Sequence, residues 1–147
     1  MKRYGIMLSQ VFPSSHPRCG EQTGFGMAFR KNKRHTIRAN YRLWSERFRK
    51  IMAGEACLVV RQWLGAPYRS KTVELAVLTK DDGIGLQRLD FNGCLSDFRI
   101  DGMKVGCDVE GLAQNDGLSE MDWLTYFKDY DLNQPMAIIH FTGYRYE

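Results

Sequence analysis

The chain has 147 residues, 44% of them hydrophobic, which suits one core of ordinary domain size. No stretch approaches the roughly 20 apolar residues of a membrane span. Behind the basic Met1-Lys2-Arg3 the apolar run is too short and too polar for a secretory signal, so a cytoplasmic protein with no membrane partner is expected. The formal charge of +4 is divided unevenly: residues 1–71 carry 15 Lys and Arg against 3 Asp and Glu, a net of +12, and residues 72–147 carry 6 against 14, a net of −8. The basic charge peaks between Arg30 and Lys50, where Glu46 is the one acid. Such asymmetry either serves a polyanion partner or is neutralised between the two halves in the fold.

In chain order, Tyr4 to Gln10 reads as a first strand. Val11 to Lys33 is irregular, with Pro13, Pro17 and three glycines; a loop of this length in a small domain is usually functional or mobile. His35 to Ala39 is a short β-prone segment, and Asn40 can cap the helix after it. In that helix Tyr41, Trp44, Phe48, Ile51 and Met52 recur at spacings of three and four and form one apolar stripe, read as core packing, and Gly54 ends it. Ala56 to Trp63 and Thr72 to Leu78 make a hairpin around a turn at Gly65-Ala66-Pro67, with Val73, Leu75 and Val77 alternating in the second arm. Leu86 to Phe91 and a pair around the Asp101-Gly102 turn are further strands. A short helix over Asp108 to Asn115 is followed by one opening at Ser119. There Asp122 resembles the third residue of a capping box, and Leu118 and Trp123 are placed as a staple. Met136 to Tyr144 is a closing strand whose continuous apolar centre suggests burial on both faces. Many strands and few helices make one α+β domain over residues 1–147, with a small curled sheet or barrel flanked by helices.

The four cysteines, Cys19, Cys57, Cys94 and Cys107, form no close pair, and His16, His35 and His140 do not fall at zinc-ligand spacing. Reduced, mostly buried thiols, no metal site and no cofactor are expected. His140, inside an apolar run, reads as a core or rim histidine.

The segment Lys33-Arg34-His35-Thr36-Ile37-Arg38 resembles the Lys-x-x-Thr-x-Arg signature of the ASCH family, a branch of the PUA-like β-barrels. The likeness continues at Gly54-Glu55-Ala56, at Leu112 to Gly117 before an aromatic and acidic helix, and in the closing strand Met136 to Phe141. Val11 to Asn32 and the Arg61 to Lys71 hairpin look like elaborations on a minimal domain, and the chain looks like a subgroup found in bacterial genomes and mobile elements. The resemblance implies a PUA-like (ASCH) small β-barrel flanked by helices. It also implies an amidohydrolase of N4-acylated cytidine or a related modified nucleoside, with a catalytic trio on Lys33, Thr36 and Asp116. Asp116 stands where the family carries a glutamate, one methylene longer. Other members are implied to be nucleases or RNA binders, so a non-catalytic RNA-binding module is the alternative function. A nuclease ranks last, since no multi-carboxylate cluster stands out.

The residues themselves set conditions on the chemistry. A threonine hydroxyl attacks an amide only when a base takes its proton. A lysine is that base only if burial or like charges depress its pKa; Lys31, Arg34 and Arg38 push that way, and a carboxylate such as Asp116 pushes back. On a strand, Thr36 and Arg38 share one face, and Lys33 meets Thr36 only from the preceding loop or a bulge. Without that convergence Lys33 and Arg34 are solvated loop charges and Asp116 turns the chain before Gly117. For an RNA or modified-nucleoside partner, Arg34, Arg38, Arg61, Trp63, Tyr68, Arg69 and Lys71 combine cations with aromatics suited to phosphate contact and base stacking. The same hairpin also reads as a charged surface with Trp63 turned into the core. The oligomeric state is left open.

Overall fold

The computed structural model describes residues 1–65 and 68–147. The expected turn residues Ala66 and Pro67 lie outside the described residues. The elements in chain order are β1 (Lys2–Leu8), α1 (Phe25–Ala28), β2 (His35–Arg38), α2 (Tyr41–Met52), β3 (Ala56–Trp63), β4 (Thr72–Leu78), β5 (Gly85–Asp90), β6 (Arg99–Ile100), α3 (Val109–Asn115), α4 (Glu120–Phe127) and β7 (Met136–His140).

The chain is α+β with two sheets. One has the order β1-β3-β4, with β1 parallel and β4 antiparallel to β3; the other has the order β2-β7-β5-β6 and is antiparallel throughout. Among the described residues the ladders stay in two sheets and do not close into the expected barrel. Helix α2 packs against β3 of the first sheet and β5 and β7 of the second. Its buried Trp44, Phe48 and Ile51 therefore join both sheets into one core. No helix among the described residues is long and apolar enough to cross a membrane.

Sequence and structure agree where a pattern has one cause. Asn40 caps α2, accepting from the Leu43 amide at 3.2 Å, in a left-handed conformation that asparagine tolerates better than most residues. All five residues of β7 are buried because a neighbouring strand flanks it on each side and the core covers both faces. Differences arise where tertiary position overrides pattern. Met52 is 44% exposed at the last turn of α2, outside the stripe assigned to it. Val73 and Val77 are exposed on β4, the edge of its sheet, and of the three alternating residues Leu75 packs against the core. Of the cysteines, all free, only Cys57 is buried, so the expectation of mostly buried thiols does not hold. The second strand of the Asp101-Gly102 turn shrinks to a single bridge between Ile100 and Met103.

The segment from Val11 to Lys33 is tied down. A Val11–Gln22 bridge closes a loop that His16 and Arg18 pin to α4: His16 Nε2 lies 3.2 Å from the Asp122 carbonyl, and Arg18 bonds the Asp122 carboxylate. Ser119 does cap α4 by accepting from the Asp122 amide. Asp122 reaches out to Arg18 and does not close the box, because an arginine offers a charge-assisted partner.

Candidate functional site

The site forms where the end of the long loop, the start of β2 and the end of α3 meet. Lys33 precedes β2 and bridges to Phe29 and to Asp116, which follows α3. Main-chain bonds lock this meeting: Arg34 N donates to Asn115 O at 2.7 Å, and Phe141 N donates to Arg34 O at 2.8 Å. Gly117 is required here, because its φ of +79° favours glycine and a Cβ would come within 3.0 Å of the Lys33 Cβ.

Lys33 is 2% and Asp116 3% exposed. The Lys33 ammonium donates to the Asp116 carboxylate at 2.9 Å and to its carbonyl at 2.8 Å, and lies 4.0 Å from the Phe25 ring centroid. The shorter aspartate thus reaches the lysine. Burial lowers the Lys33 pKa and Arg38 adds to the shift, while Asp116 opposes it. For Asp116, burial favours the neutral acid, but the Lys33 charge and contact with His35 outweigh it and hold the carboxyl below its ordinary value.

Thr36 is 5% exposed and follows the strand geometry: it shares a face with Arg38, whose Nε donates to Thr36 Oγ1 at 3.3 Å. Arg38 also donates to the Met7 carbonyl at 2.6 Å, joining β2 to β1. Burial lowers its pKa while Tyr126 and Tyr130 counteract, and a guanidinium stays charged throughout. Lys33, Thr36, Arg38 and Asp116 line one cavity of about 70 Å³, walled by Phe25, Tyr126 and Tyr130 among others.

Of the residues expected to bind nucleic acid, all but Arg38 lie elsewhere. Arg38 is directed into this cavity and not onto an outer basic face. Arg34 is exposed, stacks over the Tyr144 ring at 5.0 Å and edges a separate open groove with Lys31, Asn32 and Gln114. Arg61 is spent along the hairpin, donating to Thr72 Oγ1 at 2.9 Å and pairing with Glu74 at 3.5 Å. Trp63 is half-buried and meets Tyr68 at 5.3 Å; Tyr68, Arg69 and Lys71 are exposed. None of these hairpin residues lines the cavity. Among the described residues no three His, Cys, Asp or Glu side chains come together to hold a metal ion.

Sequence reasoning missed three polar neighbours. His35, fully buried, places Nε2 2.6 Å from the Tyr146 hydroxyl and Nδ1 3.6 Å from Asp116 Oδ1. Asn115 Nδ2 donates to the same hydroxyl at 3.1 Å. A polar His inside a β-prone segment is the only local signal for this cluster; Tyr146 stands 111 residues away from it and carries none. Compared with known proteins, the chain matches no family model, no curated protein and no solved structure.

Proposed function

We propose that this is an ASCH-type, PUA-like domain whose cavity hydrolyses the amide of an N4-acylated cytidine or a related modified nucleoside. The observation that carries the reading is the buried Lys33–Asp116 pair sharing one cavity with Thr36 and Arg38. A buried ion pair is costly to desolvate, so Lys33 and Asp116 held dry in a cavity that Thr36 also lines call for a chemical reason. The small cavity suits the acyl end of a substrate, with the base at its mouth.

In this reading neutral Lys33 takes the Thr36 proton as Oγ1 attacks the acyl carbon, and the Arg38 charge faces the developing oxyanion. The adduct collapses with cleavage of the C–N bond, and Lys33 returns the proton to the departing N4 nitrogen. Water then hydrolyses the threonine ester, releasing the carboxylic acid and restoring the hydroxyl. Burial brings the lysine toward the neutral state that this needs.

The test is acyl release from N4-acetylcytidine, followed by chromatography of the nucleoside between pH 6 and 9. Lys33→Ala and Thr36→Ala should each abolish turnover, and the double variant should be little worse than either, because the two act as a unit. No turnover by the folded wild type removes this reading.

A second reading, RNA binding without catalysis, is favoured by one observation: Trp63 and the 91% exposed Tyr68 form an aromatic pair beside the exposed Arg69 and Lys71. Binding of single-stranded RNA should then weaken as salt rises. Arg69→Glu with Lys71→Glu should abolish it while leaving acyl release intact; unchanged binding removes the second reading.

A further inference from the structure

The His35 cluster has a direction, which its hydrogen bonds determine. Asn115 Nδ2 donates to the Tyr146 hydroxyl at 3.1 Å, occupying a lone pair and leaving the hydroxyl proton free. The nearest acceptor is His35 Nε2, at 2.6 Å. If Nε2 accepts, a neutral imidazole carries its proton on Nδ1. That atom is buried, makes no hydrogen bond, and lies 3.6 Å from Asp116 Oδ1. A bare lone pair there would face a carboxylate across a dry gap, whereas an N–H faces it favourably and makes a bond after a shift of a few tenths of an ångström.

The platform beneath is tied together by hydrogen bonds. Gln87 takes both main-chain polar groups of Tyr146, accepting from its N–H at 2.9 Å and donating to its carbonyl at 3.0 Å. Gln87 Oε1 also meets His140 Nε2 at 2.9 Å, and His140 is the β7 partner of His35. Asn115 and Asp116 are adjacent in the chain, so the circuit from Asn115 through Tyr146 and His35 returns to the residue next to its start.

We propose that Tyr146 and His35 form a buried relay that positions Asp116, and through it Lys33, with His35 neutral and protonated on Nδ1. A donor at Oδ1 keeps Asp116 an anion that orients Lys33. The kinetic arm of the test rests on the amidohydrolase reading; the spectroscopic arm does not.

The first measurement is the ¹⁵N signature of the His35 ring in the whole protein at pH 7. The expected result is the neutral Nδ1–H tautomer, with Tyr146→Phe producing a mixture of tautomers. An Nε2–H ring or an imidazolium in the wild type overturns the relay. The second measurement compares His35→Asn, whose amide nitrogen falls near the Nδ1 position, with His35→Gln, whose amide falls near Nε2. A relay into Asp116 predicts that His35→Asn keeps acyl-release kcat within about tenfold of wild type. His35→Gln should lose about tenfold to a hundredfold at unchanged KM, the range for lost support of a functional group. A packing role predicts the reverse order, since glutamine fills the space better, and that order overturns the proposal. If the wild type releases no acyl group, the amidohydrolase reading fails and the tautomer alone decides the relay.

Discussion

A lysine ammonium with 2% exposure keeps its charge only through its neighbours, and Lys33 has two kinds: the Asp116 carboxylate and carbonyl, and the Phe25 face. Asp116→Ala removes the carboxylate and leaves a buried cation, which should cost about 3 kcal/mol at pH 7 by urea denaturation. The deficit should shrink at pH 9, because burial already lowers the Lys33 pKa and the stranded lysine can shed its proton. An equal deficit at both pH values contradicts that account. Asp116→Glu, which restores the length implied by the family resemblance, should destabilise by about 1–3 kcal/mol, since the buried aspartate already reaches Lys33 and a longer side chain has to shift that bond. Lys33 and Thr36 were legible in the Lys-x-x-Thr-x-Arg segment, and Asp116 in the stretch from Leu112 to Gly117. The adequacy of aspartate was not, because reach depends on how closely the Gly117 backbone approaches Lys33.

At the scale of elements, α4 does two jobs. Its buried Trp123 and Phe127 join the core, and its Asp122 holds the loop between β1 and α1 through Arg18 and His16. Phe12 stacks on His16 at 4.5 Å, and Arg18 covers Phe12 at 4.9 Å, so the loop has a small core of its own. Asp122→Ala should therefore loosen the loop before the fold: limited trypsin should cut at Arg18 many times faster, while the urea midpoint falls only modestly. Cleavage at the wild-type rate contradicts the pinning. The composition of Val11 to Lys33, with its prolines and glycines, marks it as irregular, but its anchoring depends on a helix more than a hundred residues later, which no local pattern encodes.

Across the whole molecule, burial of histidines sets the response to acid. Burial lowers the pKa of His35, and it pushes His140 down to about 2, with His35 and Arg145 adding to the effect. Unfolded histidines take up protons near pH 6.5, and the folded ones resist. The unfolded state therefore binds more protons as pH falls, so the histidines' contribution to stability is complete above about pH 6.5 and declines below it, by up to about 1.4 kcal/mol per histidine per pH unit. Asp116, held below its ordinary value, adds loss in the same direction at lower pH. Urea midpoints at pH 7.5 and 5.5 test this, and a midpoint that holds at pH 5.5 contradicts it. What the sequence determined by itself is what periodicity, capping and turn chemistry encode locally: the limits of α2, β3 and β4, the cap at Asn40, and the doubly buried β7. The tertiary structure alone decided that the strands divide into two sheets joined by α2, that β4 is an edge, and that Tyr146 and His35 meet beside Asp116. Each of these depends on which distant surfaces pack together, and a side chain's partners across the core leave no mark on the residues next to it in the chain.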